Sequence, residues 1–159
     1  MAHELIEVTD ELKKSEICND ILRALPSWFG NEAAIVDYTN QVRDMPYAAA
    51  YADGGPVGFI AVKNHNAYTA EVCVTGILPV YHRQGIGRGL IQWCEEYCLK
   101  NGKEFLTVKT LDEAGLSKSY DKTRKFYLAV GFKPLEVFPL FWDEDNPCLF
   151  MVKCINTKK

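Results

Sequence analysis

The chain contains no run of about 18 apolar residues, the length a helix needs to cross a bilayer, so no membrane span is expected. Its six cysteines form no Cys-x-x-Cys pair and it has only three histidines, which removes the usual ligand supply for a structural zinc ion, and no metal is expected. No histidine adjoins a cysteine, so an activated thiol is not expected either; the thiols read as reduced, mostly buried core residues. Neither sign of charge dominates. The net charge of −3 gives no electrostatic reason to bind nucleic acid or an anionic membrane surface, and the Lys158-Lys159 tail is too short to change that. The opening "MAHELIEVTD" lacks the basic-then-apolar order of a signal peptide, so the expected location is the cytoplasm. Internal repeats, low-complexity stretches and linkers are missing too, and the 159 residues are expected to form one domain.

What is present is a chain with the balance of a soluble globular protein, 48% hydrophobic and 25% charged. "HELIEV" predicts a first strand, and Ile17, Ile21, Leu22 and Leu25 share one face of a helix over about 10–25. Asn31 is the predicted N-cap of a second helix that buries Ala34, Ile35, Tyr38 and Val42. "YAAAYADGGPVGFIAVKN" then reads as two strands around Asp53-Gly54-Gly55-Pro56, and "NHN" as a turn into a third strand, "TAEVCVTGILP". A helix follows the glycine-rich segment 83–89, ending at the C-cap signal Asn101-Gly102. "EFLTVKT" is a strand, 119–130 a helix stopped by Gly131, and "FKPLEVFPLFW" and "CLFMVKCI" are two closing strands. The order predicts an α/β (α+β) fold, a mixed and mostly antiparallel sheet with helices on both faces.

"RQGIGRG" holds three glycines and two arginines where a strand runs into a helix. Such a turn presents main-chain N–H groups at a helix N-terminus, where the dipole and the orphan donors favour anions. Arg83 and Arg88 add positive charge, and a diphosphate is the natural guest; a plain strand-to-helix turn that needs glycine for its backbone angles is the alternative. The spacing Gly85-Ile86-Gly87-Arg88-Gly89 is not the G-x-G-x-x-G of a dinucleotide fold, and no Gly-Lys-Ser/Thr of a phosphate-binding P-loop follows.

"LPVYHRQGIGRGLI" resembles the acyl-CoA-binding segment of the GNAT superfamily of N-acyltransferases, whose pattern is Gln/Arg-x-x-Gly-x-Gly/Ala after a strand. "TRKFYLAVGFKPLE" resembles that superfamily's A-x-x-FY-x-x-x-GF helix and strand, and the predicted element order fits its fold over nearly the whole chain. "NPCLFMVK" and "LPSWFG" further resemble a bacterial branch of unknown acceptor. Two departures stand out. His82 occupies the first position of the diphosphate pattern, where Gln or Arg is usual, although the register Gln84-x-x-Gly87-x-Gly89 matches as well. Tyr120 stands where many members place an Asn against the pantetheine arm.

The resemblance implies an acetyl-CoA-dependent N-acetyltransferase, with 82–89 (His82, Arg83, Gln84, Gly85, Ile86, Gly87, Arg88 and Gly89) cradling the diphosphate of coenzyme A. It implies that the N–H of Ile77 or Leu78 polarises the acyl carbonyl, and that Tyr127 protonates the departing thiolate. Phe126, Ala129 and Val130 are expected to supply the buried face of that helix and to leave Tyr127 available. Glu71, eleven residues before His82, takes the position of the general-base glutamate in the histone-acetylating branch, a solvated strand-edge carboxylate being the other reading. The acceptor would be a small amine or a protein amino group, and the C-terminal strands could pair in a homodimer. A non-catalytic acyl-CoA-binding or interaction module of the same fold is the rival. "DEDNP" and the aromatic residues Trp28, Phe29 and Trp142 could line an acceptor groove, or be solvated surface and core packing respectively.

Overall fold

A computed structural model describes residues 3–155. Seven strands form one sheet in the order β1-β2-β3-β4-β5-β7-β6. They are β1 (Glu4–Glu7), β2 (Tyr47–Ala52), β3 (Gly55–Asn64), β4 (Thr69–Ile77), β5 (Phe105–Leu111), β6 (Lys133–Asp143) and β7 (Asn146–Cys154), with helices α1 (Glu11–Arg23), α2 (Glu32–Gln41), α3 (Ile86–Lys100) and α4 (Tyr120–Ala129). The mixed, mostly antiparallel sheet expected from the sequence is the one observed. The chain divides into two compact units, Met1–Lys63 with Cys73–Cys94, and Asn64–Val72 with Glu95–Lys159.

In the first unit, local chemistry sets the element ends. The Asp10 carboxylate accepts from the N–H groups of Leu12 and Lys13 at 2.9 and 3.2 Å, and Asn31 caps Ala34 at 3.1 Å. Asp53 and Gly54, at φ of 53° and 88°, make the left-handed pair that a two-residue hairpin requires between β2 and β3. Ile17, Cys18, Ile21 and Leu22 of α1 bury against Tyr47, Ala49, Phe59, Ala61 and Val74. A Cβ on Gly76 of β4 would come within 3.0 Å of Leu25, so glycine there lets the helix end seat on the strand. A Cβ on Gly58 would instead meet Ile77 and Ile86, which places the first turn of α3 on the other face of these strands.

In the second unit β4 pairs parallel with β5 from Thr69↔Phe105 to Val72↔Val108. β5 pairs antiparallel with β7, and β7 with β6, which closes the sheet on that side. Gly131 follows α4 at φ 105° and turns the chain into β6. The β6 strand is exposed along nearly its full length. Among the described residues no helix is long and apolar enough to cross a membrane.

Candidate active site

Helix α3 begins at Ile86, and its first bond back along the axis runs from Gly89 N–H to the Gly85 carbonyl at 3.1 Å. The N–H groups of Ile86, Gly87 and Arg88 therefore precede the helical ladder. Gly85 (φ 84°) and Arg83 (φ 65°) turn the chain into position, the arginine in a left-handed conformation that costs a non-glycine residue on the order of 1 kcal/mol or more. Arg83 and Arg88 are both exposed. Gly89 has a different reason to be glycine: a Cβ there would lie 3.3 Å from Leu5 of β1.

The two residues that could open the diphosphate pattern spend side-chain donors on their own loop. His82 Nε2 lies 2.7 Å from the Ile77 carbonyl, with its ring edge-on to Trp28 at 5.9 Å, and Gln84 Nε2 donates to the Val80 carbonyl at 3.2 Å. The first bond ties the loop to the end of β4, and the second closes the loop on itself. The N–H of Leu78 donates to the Val57 carbonyl at 2.8 Å. Successive N–H groups of a strand point to opposite sides, so that of Ile77 faces away from β3.

Glu71, in the second unit, is not a solvated strand-edge carboxylate. Its side chain is 9% exposed, and both oxygens are taken: His65 Nε2 sits 2.6 Å from Oε1, and Lys109 Nζ donates to Oε2 at 2.9 Å. Register explains the lysine. Glu71 lies opposite Thr107, and Lys109 is two residues on along the same side of β5. The ammonium also rests 5.4 Å from the Phe141 ring and 5.5 Å from that of Phe150. His65 had been legible only as part of a turn.

Tyr127 is the buried residue of α4, 5% exposed, in edge contact with Phe132 at 5.4 Å and beside Phe126 at 5.5 Å. The expected buried face is therefore corrected: Val130 is buried, but Ala129 is exposed and Phe126 half-buried, and the tyrosine ring fills the gap with its apolar body. Tyr120 opens the same helix, half-buried, with its phenol raised above its ordinary value by desolvation.

Of the remaining candidates, Asp143 accepts from Asp145 N–H and from the Asn146 amide, a turn-closing role, and Glu144 and Asp145 are exposed. Trp28 and Phe29 pack on the first unit's core, while Trp142 is 43% exposed. Burial pushes the thiols of Cys18, Cys98 and Cys148 up to about 12, 11 and 11, so they stay protonated at neutral pH. No cluster of three or more metal-ligating side chains occurs among the described residues.

A sequence model of the acetyltransferase (GNAT) domain matches residues 44–134. No curated protein matches the chain in sequence. A GNAT-family protein from Desulfovibrio desulfuricans superposes with a TM-score of 0.81 at 16% identity, over 97% of this chain and 99% of its own. An aminoglycoside 6'-N-acetyltransferase complexed with coenzyme A gives 0.77 at 18% identity, over 100% and 99%. The ribosomal-protein-S18-alanine N-acetyltransferase from Escherichia coli gives 0.76 at 15%, over 99% and 97%. At these identities the likeness is one of fold.

Proposed function

This chain belongs to the GNAT acetyltransferase family, and from that premise we propose that it moves an acetyl group from acetyl-CoA to a primary amine by direct attack in a ternary complex, residues 1–159 acting as one domain. The observation that carries the reading is the start of α3, where the N–H groups of Ile86, Gly87 and Arg88 precede the helical ladder beside exposed Arg83 and Arg88. Main-chain donors, the helix dipole and two guanidinium groups are what a diphosphate needs. In this reading the His82 and Gln84 side chains shape the loop rather than touch the ligand.

Ile77 supplies the donor to the acyl oxygen, since the Leu78 N–H is already engaged with Val57. Tyr127 protonates the departing thiolate, and Tyr120 lies along the pantetheine arm. Direct attack fits the cysteine chemistry, because Cys18, Cys98 and Cys148 are held as thiols and offer no activated nucleophile for a covalent intermediate. The similar proteins' names span an aminoglycoside and a protein alanine, so small amines and protein amino groups both stand as acceptor classes. Pairing of C-terminal strands between two copies is part of the same proposal, with β6 as the sheet edge. A cytoplasmic location accords with it.

The burial of Tyr127 among rings favours one rival, an acyl-CoA-binding module without turnover. The deciding experiment measures CoA released from acetyl-CoA by mass spectrometry across a panel of small amines and peptides. An enzyme shows amine-dependent release that falls roughly a hundredfold or more in Tyr127→Phe, with acetyl-CoA affinity retained. Binding without release on any amine favours the module. Absence of acetyl-CoA binding sinks both.

A further inference from the structure

Thr110 of β5 is 3% exposed, and its Oγ1 is the one buried side-chain oxygen or nitrogen among the described residues without a hydrogen-bond partner. A buried hydroxyl left unpaired destabilises a fold, and valine would fill the same space without that penalty. Strand alternation shows where it points. Lys153 lies opposite Leu106 and shares its side of the sheet. Its Nζ donates to the Val130 carbonyl at the end of α4 and meets Glu95 of α3 at 2.8 Å. Thr110, an even number of residues on from Leu106, points to that same helix-covered side.

Helix α4 runs back along β5. Its end at Val130 is held by Lys153, level with Leu106, while Arg124 Nη1 donates to the Leu111 carbonyl at 2.6 Å. Tyr120, Arg124 and Tyr127 fall on one stripe of the helix, so this stripe faces β5 and Thr110 lies under it. The strand has an open edge at the same place. β7 pairs with β5 as far as Leu111↔Cys148, but β4 only as far as Val72↔Val108. Asp112 N–H donates to the Pro147 carbonyl on the β7 side, so the Leu111 N–H points to the other side, where that pairing has ended. The Arg124 guanidinium is spent on Leu111 and Asp121. A hydroxyl beside an outward strand N–H, with no uncommitted cation from α4, suits an uncharged ligand segment that carries amides, not a phosphate.

We infer that Thr110 Oγ1 hydrogen-bonds an amide of the pantetheine arm of acetyl-CoA, as the arm lies along β5 beneath Tyr120 and Tyr127. The inference rests on the acetyl-transfer reading above, which gives those two tyrosines to the arm and its sulfur. Thr110 is then a binding residue, kept polar for the ligand at the expense of the fold. Its Oγ1 is out of contact with water, and Tyr127 is nearly so at 5% exposure, so entry of the arm parts α4 from β5. The N-terminal end of α4 is the end that gives. Ser119 makes no side-chain cap bond there, and Asp121 and Lys122 are exposed.

The test measures melting temperature, and affinity for acetyl-CoA and for ADP by calorimetry, in wild type, Thr110→Val and Thr110→Ser. Stability and binding should move in opposite directions. Thr110→Val is expected to melt about 2 °C or more above wild type and to bind acetyl-CoA roughly tenfold more weakly. ADP carries the diphosphate without the arm, and should bind wild type and Thr110→Val alike. Thr110→Ser keeps the hydroxyl and should hold acetyl-CoA within about threefold of wild type. Unchanged acetyl-CoA affinity in Thr110→Val, or an equal loss for ADP, overturns the inference and leaves acetyl transfer standing. So does a Thr110→Val protein that is less stable or does not fold, because the hydroxyl would then serve the fold. Wild-type protein that binds no acetyl-CoA removes the acetyl-transfer reading, and this inference with it.

Discussion

At the start of α3, three N–H groups and two exposed arginines carry positive character with no acidic side chain paired to them among the described residues. Around Glu71, by contrast, a carboxylate, an ammonium and an imidazole are closed upon one another, with side-chain exposures of 9, 23 and 35%. On the proposed reading, the first is an open seat for an anion and the second a closed cluster that holds its strands together. A seat for an anion keeps its donors unsatisfied until the ligand arrives, and stays wet so that the ligand can leave. A cluster of partly buried charges must instead have its charges paired and its hydrogen bonds satisfied before it is worth burying. The first arrangement is tuned by salt; the second is costly to disturb.

The sharpest way to break the contrast is to open the closed cluster. Lys109→Ala would leave the buried Glu71 carboxylate held by His65 alone, and since a fully unpaired buried charge costs about 3–5 kcal/mol, the loss should approach that figure from below. Urea denaturation should show a loss of that order, partly relieved when Glu71→Gln removes the charge in the double variant. A Lys109→Ala protein of wild-type stability would mean that water reaches Glu71, and the cluster would then be no more closed than the loop.

The architecture was legible because it rests on local rules. Period-two and helical patterns, Asp10 and Asn31 as caps, and glycines at Gly54, Gly102 and Gly131 with φ of 88°, 70° and 105° put every strand and helix within a few residues of where it lies. The candidate site was legible in its main chain and opaque where side chains pair at a distance. Lys109 lies 38 residues from Glu71, and only the parallel register of β4 with β5 brings them together. His65 sits six residues from Glu71 in a turn whose polar residues all looked like turn formers. Tyr127 misled for another reason. A helix face predicted from Phe126, Ala129 and Val130 ignored the tyrosine's own apolar ring, which packs against Phe132 in the link just before β6. Gly89 looked like part of the phosphate seat, while its nearest constraint is Leu5.

Those two glycines offer a finer cut within the seat. Gly85 sits at φ 84° with open space around its would-be Cβ, so Gly85→Ala strains the backbone by on the order of 1–2 kcal/mol without any clash. The loop should relax out of its ligand-ready shape, weakening acetyl-CoA binding roughly tenfold by calorimetry, since about 1.4 kcal/mol is one decade. Gly89→Ala has ordinary helical φ and a tight contact with Leu5 instead. It should lower the melting temperature by a degree or two and leave affinity nearly intact. Equal effects on affinity would place Gly89 in the seat after all.

The smallest expected effect is the most direct test of wet against dry. Exposed charge pairs contribute on the order of 1 kcal/mol or less each, so Arg83→Ala and Arg88→Ala should each weaken acetyl-CoA binding only a few-fold. What separates them from the buried cluster is screening, with a Debye length of about 8 Å at physiological ionic strength. Wild-type affinity should fall steadily from 50 mM to 500 mM sodium chloride, and the double variant should lose most of that slope. The stability difference between wild type and Lys109→Ala should hold nearly constant over the same range, because a pair shielded from water is shielded from its ions. An affinity slope unchanged in the double variant would take both arginines out of the seat and leave the diphosphate to the main chain alone.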